Sequence, residues 1–331
     1  MPSRRARAAA LPLLLALGAC DISVPEPTVV VPGLSTVARE YVDEVLRVMR
    51  TNALRHDAID WAALRAQAVA TAPVAQTLEE THPIITAALF GLGDGHSTYR
   101  ASSGRLLAFN VRRCAAAAAT PPADLPADVG YVRVVSFTGG LAPSIAYATA
   151  LHAAIAAADR DALAGWVVDL RGNGGGNMWP MIAGIGPILG DDAVVGHFVG
   201  ADGATSSWGY RGGASVFGSA TQVPVERPYT LRRPRPRVAV LTDGAVASSG
   251  EAVAIAFRRR ADTRSFGAAT CGLSTANAPF LLSDGGVLNL TVSVMADRAR
   301  TPYGDRVTPD EAVADPEDAV RRAVAWLRQP L

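Results

Sequence analysis

The sequence predicts an α/β fold, and three observations support this prediction. From residue 130 to residue 327, short apolar segments of β-forming residues alternate with helical segments, and such alternation indicates an α/β core. An apolar strand, a small-residue turn and a helix start follow one another at residues 238–251 (VAVLTDGAVASSGE). A second junction of this kind, with a glycine-rich turn, lies at residues 166–177 (WVVDLRGNGGGN). We therefore expect an α/β core within residues 111–331, preceded by a helical region.

The bulk composition bounds the size of the fold and restricts the partners. The chain has 331 residues, of which 49% are hydrophobic, enough for a sizeable core in one large domain or two small ones. It contains no lysine, so its 31 basic residues are all arginine, and 30 acidic residues balance them to a net charge of +1. This balance gives no electrostatic reason to expect a nucleic-acid partner.

Residues 1–19 resemble an export signal. A basic head is followed by an apolar stretch at residues 8–17 that is too short to span a bilayer. Residues 17–20 (LGAC) resemble a bacterial lipoprotein box, in which Cys20 would carry the lipid; an ordinary signal peptide with an incidental cysteine is the alternative. Residues 20–34 would form a tether, and no later segment is expected to span a membrane. The prediction is a lipid-anchored protein at the periplasmic face of a bacterial cell envelope.

Residues 35–110 are predicted to form a small helical subdomain. Apolar residues recur at helical spacing from Val37 to Val48, and Asp60 has the position of a helix N-cap. The last of these helices ends at a glycine-rich turn that holds His96.

Residues 111–331 are predicted to alternate between strands and helices after a low-complexity connection. The predicted strands are residues 130–137, 166–170, 193–199, 208–210, 238–241 and 264–267, followed by a hairpin at 280–295. The predicted helices are residues 142–158, 178–189, 248–259 and 316–327. Pro180 and Pro187 are expected to break the second of these helices.

Ser248 is the candidate nucleophile because it lies where a helix begins. Its hydroxyl would lie at the positive end of that helix, and the N–H of Ser249 would point at a developing oxyanion. Ser249 is the alternative nucleophile. A capping box, in which Glu251 accepts a hydrogen bond from the Ser248 N–H, is a structural interpretation that is compatible with catalysis.

The glycine-rich loop at residues 172–176 allows two interpretations. A phosphate cradle is disfavoured, because the lysine of a P-loop is absent and because Asp191 and Asp192 lie in a turn rather than on the strand that a dinucleotide-binding motif requires. Donation of a backbone N–H to an oxyanion suits the loop better, since glycine lets a substrate come close to the backbone. We therefore expect no cofactor and no metal.

The base that would accept the serine proton is found by elimination. A Ser–Lys dyad is impossible without lysine, and His152 and His82 have structural settings, in an alanine-rich helix and before a proline. His96 lies in a tight polar turn, residues 94–97 (DGHS), directly after an apolar helix. It is therefore the preferred general base.

These motifs together resemble the tail-specific, or carboxyl-terminal processing, serine peptidases and their tricorn-like relatives. The matching elements, in family order, are residues 94–97 (DGHS), the strand with Phe137, and residues 169–176 (DLRGNGGG), 248–251 (SSGE), 267–272 (GAATCG) and 309–310 (PD). The resemblance implies a core related to the crotonase and Clp-protease folds, without a PDZ domain, for which the chain between His96 and Tyr131 has no room. It also implies Ser248 as the nucleophile, with an oxyanion hole formed by the N–H groups of Ser249 and Gly175.

Two departures from the family pattern bear on the remaining site residues. Leu273 stands where many members have a lysine, which implies the histidine-using branch, including the tricorn core and the nisin-resistance proteins, with His96 as the base. The late glutamate of tricorn-type enzymes has no counterpart at residues 303–305 (YGD). Asp297 and Asp305 are therefore the candidates for the acid that orients His96, and a bare Ser–His dyad is the alternative.

Besides Cys20, the chain has two cysteines, Cys114 and Cys271. They either form a disulfide or stay as two buried thiols. Cys271 as a rival nucleophile is disfavoured, because nothing near it in the sequence would lower its pKa.

The predicted function is that of a serine endopeptidase of the cell envelope. Its expected partners are a polypeptide substrate and, through the lipid anchor, the membrane. The alternative is a non-catalytic lipoprotein that binds apolar ligands or peptides on the same fold, as a shared resemblance to the interphotoreceptor retinoid-binding proteins implies. The sequence leaves the cleavage preference and the oligomeric state open.

Overall fold

The computed structural model describes residues 33–109, 112–115 and 120–330. They belong to one compact unit, Gly33–Leu331. The predicted signal peptide, Cys20 and nearly all of the predicted tether lie outside the described residues. The described helices are α1 (Thr36–Asn52), α2 (Trp61–Val69), α3 (His82–Leu92), α4 (Leu141–Ala158), α5 (Met178–Leu189), α6 (Ser249–Ala256) and α7 (Pro316–Leu327). The described strands are β1 (Thr98–Arg100), β2 (Leu106–Phe109), β3 (Val129–Arg133), β4 (Gly165–Asp169), β5 (Asp192–Gly200), β6 (Thr205–Arg211), β7 (Ala214–Phe217), β8 (Ala220–Pro224), β9 (Val238–Thr242), β10 (Thr263–Gly267), β11 (Thr275–Leu281), β12 (Val287–Asp297) and β13 (Glu311–Ala312).

A five-stranded parallel sheet forms the centre of the α/β part. Its strand order is β13-β10-β9-β4-β3, and every neighbouring pair runs parallel. Helices α4, α5 and α6 cover one face of this sheet and α7 covers the other. Because both faces are covered, the central strands β4 and β9 carry continuous apolar runs. The predicted strands at 166–170 and 238–241 are confirmed as β4 and β9, in which every residue is buried.

The two strand–turn–helix junctions start at the same edge of the parallel sheet. β4 leads through the glycine-rich loop into α5, and β9 leads through a turn at residues 243–248 into α6. The strands are direct neighbours, with Asp169 opposite Leu241. The N–H of Ala247 also donates to the carbonyl oxygen of Asn173 at 2.9 Å. The junctions therefore lie side by side.

The second sheet is antiparallel and joins the helical region to the α/β part. Its order is β2-β1-β12-β5-β6-β7-β8, and β11 also pairs with β12. The first half of β12 pairs with β1 and the second half with β5. Helices α1 and α3 share a core with apolar residues of this sheet, including Tyr99, Leu288 and Leu290. The turn that holds His96, between α3 and β1, is fixed by this packing.

Helix α5 is continuous although prolines were expected to break it. Pro180 lies in the first turn, where no intrahelical N–H bond is lost. Pro187 cannot donate to the carbonyl oxygen of Ala183, and the Nε2 atom of His152, 2.9 Å from that oxygen, donates in its place. The Nδ1 atom of His152 in turn accepts from the N–H of Tyr229 at 3.0 Å. His152 therefore has a structural role.

Among the described residues, α4 alone is long and apolar enough to cross a membrane, by length and composition. No such segment was expected from the sequence. The helix connects β3 to β4, which are adjacent parallel strands, and packs against α5. It is therefore a crossover helix between two strands of one sheet.

Candidate active site

Residues from three distant parts of the sequence meet beside the start of α6. The turn at residues 94–97 supplies His96, the turn before α6 supplies Ser248, and the first residue of β11 is Thr275. The Nε2 atom of His96 lies 3.0 Å from the Oγ atom of Ser248, across 152 residues of sequence. The two residues that were predicted as base and nucleophile are therefore within hydrogen-bonding distance.

The His96 turn is held by hydrogen bonds on several sides. The Oδ1 atom of Asp94 accepts from the N–H groups of His96 and Ser97, each at 2.8 Å. The side-chain amide of Asn277 donates to the carbonyl oxygen of His96 at 2.9 Å, and the Ser97 hydroxyl accepts from the N–H of Thr291 in β12 at 3.0 Å. The imidazole position is thus fixed by its own turn and by both strands of the β11–β12 pair.

Burial sets the protonation state of His96. The side chain is 8% exposed, and desolvation lowers the pKa of its imidazole to about 4, against a smaller opposing effect of the Asp94 carboxylate. At neutral pH the ring is therefore uncharged and can accept a proton from a hydroxyl.

The orienting partner of His96 is a hydroxyl and not a carboxylate. The Nδ1 atom of His96 lies 2.7 Å from the Oγ1 atom of Thr275. Neither predicted acid contacts the ring. Asp297 is buried and accepts from the N–H groups of residues 299 and 301 and from the Arg259 side chain. Asp305 is largely exposed and forms an ion pair with Arg112.

The prediction of Asp297 or Asp305 as the orienting acid is therefore wrong for this arrangement of the site. Thr275 was missed because no local motif marks a threonine at a strand start as a partner of a residue 179 positions away. The only sequence signal is its place two residues after Leu273, which itself marks the departure from the family pattern.

Ser248 has a strained backbone. Its φ is 52° and its ψ is −117°, in a region that non-glycine residues rarely adopt. The N–H of Ser248 donates to the Oε2 atom of Glu251 at 2.9 Å, as the capping-box interpretation predicted. Strain of this kind is typical of functional sites, where the surrounding contacts hold a side chain in one position.

Glu251 connects the Ser248 turn to the loop before β11. The carboxylate is fully buried and accepts from the N–H groups of Gly272 at 2.9 Å and Leu273 at 2.7 Å and from the Thr270 hydroxyl. Burial raises the pKa of Glu251, and these hydrogen bonds partly oppose that rise. One side chain thus fixes the nucleophile turn relative to the segment that leads to Thr275.

One of the two backbone N–H groups expected to bind an oxyanion beside Ser248, that of Gly175, is replaced by its neighbour Gly176. Gly175 is buried, and its N–H donates to the Oδ1 atom of Asn173 at 2.9 Å. Gly176 is exposed and lines the cavity next to Ser248 and Ser249. Within the described chain, no acceptor takes the N–H of Gly176 or of Ser249. These two groups, and not the N–H of Gly175, are free to bind an oxyanion.

The hydroxyl of Ser249 has a different task from that of Ser248. It donates to the carbonyl oxygen of Gly176 at 2.7 Å. This bond holds the glycine-rich loop against the start of α6. The engaged hydroxyl of Ser249, without a neighbouring base, favours Ser248 as the nucleophile.

A cavity of about 1020 Å³ opens beside these residues. Its aromatic wall consists of Trp179, Phe198 and Phe217; the Phe217 ring centroid lies 5.9 Å from that of Trp179 and 6.0 Å from that of Phe198. The described lining residues include no Asp, Glu or Arg. The cavity therefore suits an uncharged occupant with an apolar group against the aromatic wall.

Cys114 and Cys271 are joined by a disulfide, a pairing that the sequence left open. Cys271 then has no free thiol and cannot serve as the nucleophile. The described residues contain no group of three or more His, Cys, Asp or Glu side chains placed to hold a metal ion.

Comparison with known proteins identifies the family. The sequence model of peptidase family S41 matches residues 128–313. The nisin-resistance protein of Lactococcus lactis subsp. lactis is 24% identical over 297 residues, which are 88% of either chain. The solved structures that are similar in fold include the following two. A lipoprotein from Streptococcus agalactiae has a TM-score of 0.69, 22% identity and coverage of 88% of this chain and 96% of that one. The photosystem II D1 C-terminal processing protease has a TM-score of 0.53, 16% identity and coverage of 85% and 94%.

The resemblance inferred from the motifs is confirmed, as are the α/β core and the helical amino-terminal region. No PDZ domain is present in the part of the chain that the structure describes. Because the family model spans more than half of the sequence, the chain belongs to peptidase family S41.

Proposed function

We propose that this protein is a serine endopeptidase in which Ser248 is the nucleophile and His96 the general base. The observation that carries the proposal is the 3.0 Å distance between His96 Nε2 and Ser248 Oγ, with an imidazole that burial keeps neutral. A neutral imidazole next to a hydroxyl at a strained helix start is the arrangement that activates a serine.

In this mechanism the Ser248 hydroxyl gives its proton to His96 Nε2 as its oxygen attacks the peptide carbonyl. The N–H groups of Ser249 and Gly176 donate to the oxyanion, and each such donor contributes about 10²–10³-fold to kcat. The His96 imidazolium then protonates the leaving amine, and water attacks the acyl-enzyme with His96 again as the base. General-base assistance contributes about 10²–10⁴-fold. Thr275 orients the ring through Nδ1.

The substrate class follows from the cavity. Its uncharged lining and aromatic wall favour a peptide segment with large apolar side chains. In folded proteins such segments are buried, so we propose peptides or unfolded polypeptides as substrates.

A second function is favoured by the same cavity. Its volume and apolar wall also suit a non-catalytic role in binding an apolar ligand or peptide. Labelling with a fluorophosphonate probe and cleavage of an unfolded polypeptide separate the two. We expect both activities in the wild type and in Ser249→Ala, and neither in Ser248→Ala; in His96→Ala we expect both to fall to a small fraction. If all four proteins behave alike in both assays, the enzyme function is excluded and the binding function remains. If Ser249→Ala alone loses labelling and cleavage, the nucleophile is Ser249 and not Ser248.

We also propose that the protein is exported and anchored to the cell envelope through a lipid on Cys20. A solved relative is described as a lipoprotein, and a disulfide suits an oxidising compartment. Mass spectrometry of the mature amino-terminal peptide tests this. We expect a lipidated peptide that begins at residue 20 in the wild type and its absence in Cys20→Ala; an unmodified mature terminus would contradict the anchor.

A further inference from the structure

A short segment, residues 112–115, contacts all three parts of the chain that supply the site. The N–H of Arg112 donates to the carbonyl oxygen of Gly95 at 2.8 Å, directly before His96. The N–H of Ala115 donates to the carbonyl oxygen of Gly244 at 3.1 Å, in the turn that ends at Ser248. Cys114, in the same segment, forms a disulfide with Cys271, which lies four residues before Thr275.

The side chain of Arg112 strengthens the third of these connections. Its Nη1 atom donates to the carbonyl oxygens of Cys271 at 3.2 Å and Gly272 at 3.1 Å, and it also pairs with Asp305. Glu251 also holds the loop after Cys271, through the N–H groups of Gly272 and Leu273. The loop that leads to Thr275 is thus held between residues 112–115 and a buried carboxylate.

We propose that residues 112–115, locked by the Cys114–Cys271 disulfide, position His96, Ser248 and Thr275 relative to one another. The inference rests on the proposed function of these three residues. Arg112, Cys114 and Cys271 are positioning residues, since none of them lines the cavity within the described chain. Their effect is large because displacement of a reacting group by about 1 Å costs as much as about 10²-fold in rate.

Two variants test the proposal. Cys114→Ala/Cys271→Ala removes the covalent link, and Arg112→Met keeps the disulfide but removes the side-chain bonds to the loop. The matched control is Arg65→Met, which removes an exposed ion pair with Asp43 on another part of the surface. The measurements are the rate and final extent of fluorophosphonate labelling at Ser248, and the titration of the His96 imidazole by NMR.

We expect both test variants to label about 10- to 100-fold more slowly than the wild type, with the same final extent. We also expect the pKa of His96, measured as the midpoint of its NMR titration, to rise from about 4 towards 6.5. The reason is that water reaches the loosened ring, while the Asp94 carboxylate still faces it. A role in stability alone would lower the melting temperature and the final extent, but not the labelling rate per folded molecule or the titration midpoint.

Labelling rates and a His96 midpoint equal to those of the wild type in both variants would overturn the proposal. If the double variant does not fold, Arg112→Met and the folded wild type treated with dithiothreitol decide the question; the reductant supplies two electrons and two protons to give two thiols and leaves as its cyclic disulfide. If the wild type itself is not labelled, the proposed function fails. The NMR midpoint then tests the positioning of His96 by itself, and an unmoved midpoint overturns it.

Discussion

The Nδ1 atom of His96 lies 2.7 Å from the Oγ1 atom of Thr275, in the place where many Ser–His enzymes have a carboxylate. A hydroxyl can fix the orientation of the ring, but it adds no negative charge to stabilise the imidazolium that forms during catalysis. Burial without such a charge lowers the pKa of His96. This pairing therefore predicts a slower turnover than a carboxylate partner would give.

The first prediction concerns this hydrogen bond. Thr275→Val keeps the shape of the side chain and removes its hydroxyl, so the ring loses its orienting partner. We expect kcat/KM to fall about fivefold, the value of one net hydrogen bond of about 1 kcal/mol. Thr275→Ser keeps the hydroxyl and is the matched control, with activity close to that of the wild type. Equal loss in both variants would show that packing, rather than the hydroxyl, matters at this position.

The parts of the site that local motifs encode could be predicted from the sequence. Ser248 follows a buried strand and begins a helix, and His96 occupies a polar turn after an apolar helix, so each is visible in a window of ten residues. The central parallel strands β4 and β9 are visible for the same reason, because each contains a continuous apolar run. Strands β7 and β8 were missed because they are short, with four and five residues, and because the turns around them contain Gly212, Gly213 and Gly218.

The remaining partners depend on contacts between distant segments. Thr275 reaches His96 through the pairing of β11 with β12, whose register no single window reveals. The choice between Gly175 and Gly176 depends on the Asn173 side chain, which takes the N–H of Gly175. Asp297 was a reasonable candidate by position, but its carboxylate accepts hydrogen bonds from N–H groups of the turn that follows β12.

The second prediction concerns pH. Because the pKa of His96 is lowered from 6.5 to about 4, the base stays neutral, and the labelling rate of Ser248 should stay constant, until the pH approaches 4. The free energy of unfolding should also depend on pH. The His96 imidazole binds a proton below pH 6.5 in the unfolded chain but only below about pH 4 in the folded protein. The free energy of unfolding therefore decreases as the pH falls from 6.5 to about 4. The labelling rate and near-UV circular dichroism, measured together against pH, check both. A half-maximal rate near 6.5 would contradict the buried state of His96.

The third prediction compares two glycines of one loop. A Cβ atom at Gly175 would lie 2.7 Å from the Ala247 carbonyl oxygen and 2.9 Å from the Ser248 Cβ atom, at a φ of +97°. Gly175→Ala should therefore displace Ser248 and lower kcat by about 10²-fold. Gly174→Ala is the control, because its Cβ atom would meet only the Ser136 hydroxyl at 3.8 Å. We expect it to match the wild type in labelling rate. Similar labelling rates for Gly175→Ala and Gly174→Ala would mean that the loop accommodates the added Cβ atom without displacing Ser248.

The fourth prediction separates structure from catalysis at Asp297. This carboxylate is 1% exposed and accepts from two N–H groups of the following turn at 2.9 and 3.0 Å. Asp297→Asn can keep these two bonds through its Oδ1 atom, but the amide nitrogen that replaces Oδ2 cannot accept from the Arg259 side chain or the Tyr303 hydroxyl. The free energy of unfolding should therefore fall by about 1–3 kcal/mol. The labelling rate per folded molecule should not change. Urea denaturation and labelling kinetics measure both quantities, and a slow but fully stable variant would restore Asp297 as a catalytic candidate.

The fifth prediction concerns the aromatic wall of the cavity. Phe217 is 37% exposed and contacts both Trp179 and Phe198, so its ring is available to a substrate side chain. Phe217→Ala should raise KM about tenfold for peptides with large apolar side chains and leave kcat unchanged, because the lost contact exists equally in the ground state and in the transition state. Leu281→Ala, which removes a more exposed apolar side chain outside the cavity lining, is the control and should change neither constant. A lower kcat with an unchanged KM would instead mean that the aromatic wall acts on the reacting bond, and that its role is to orient the peptide rather than to select it.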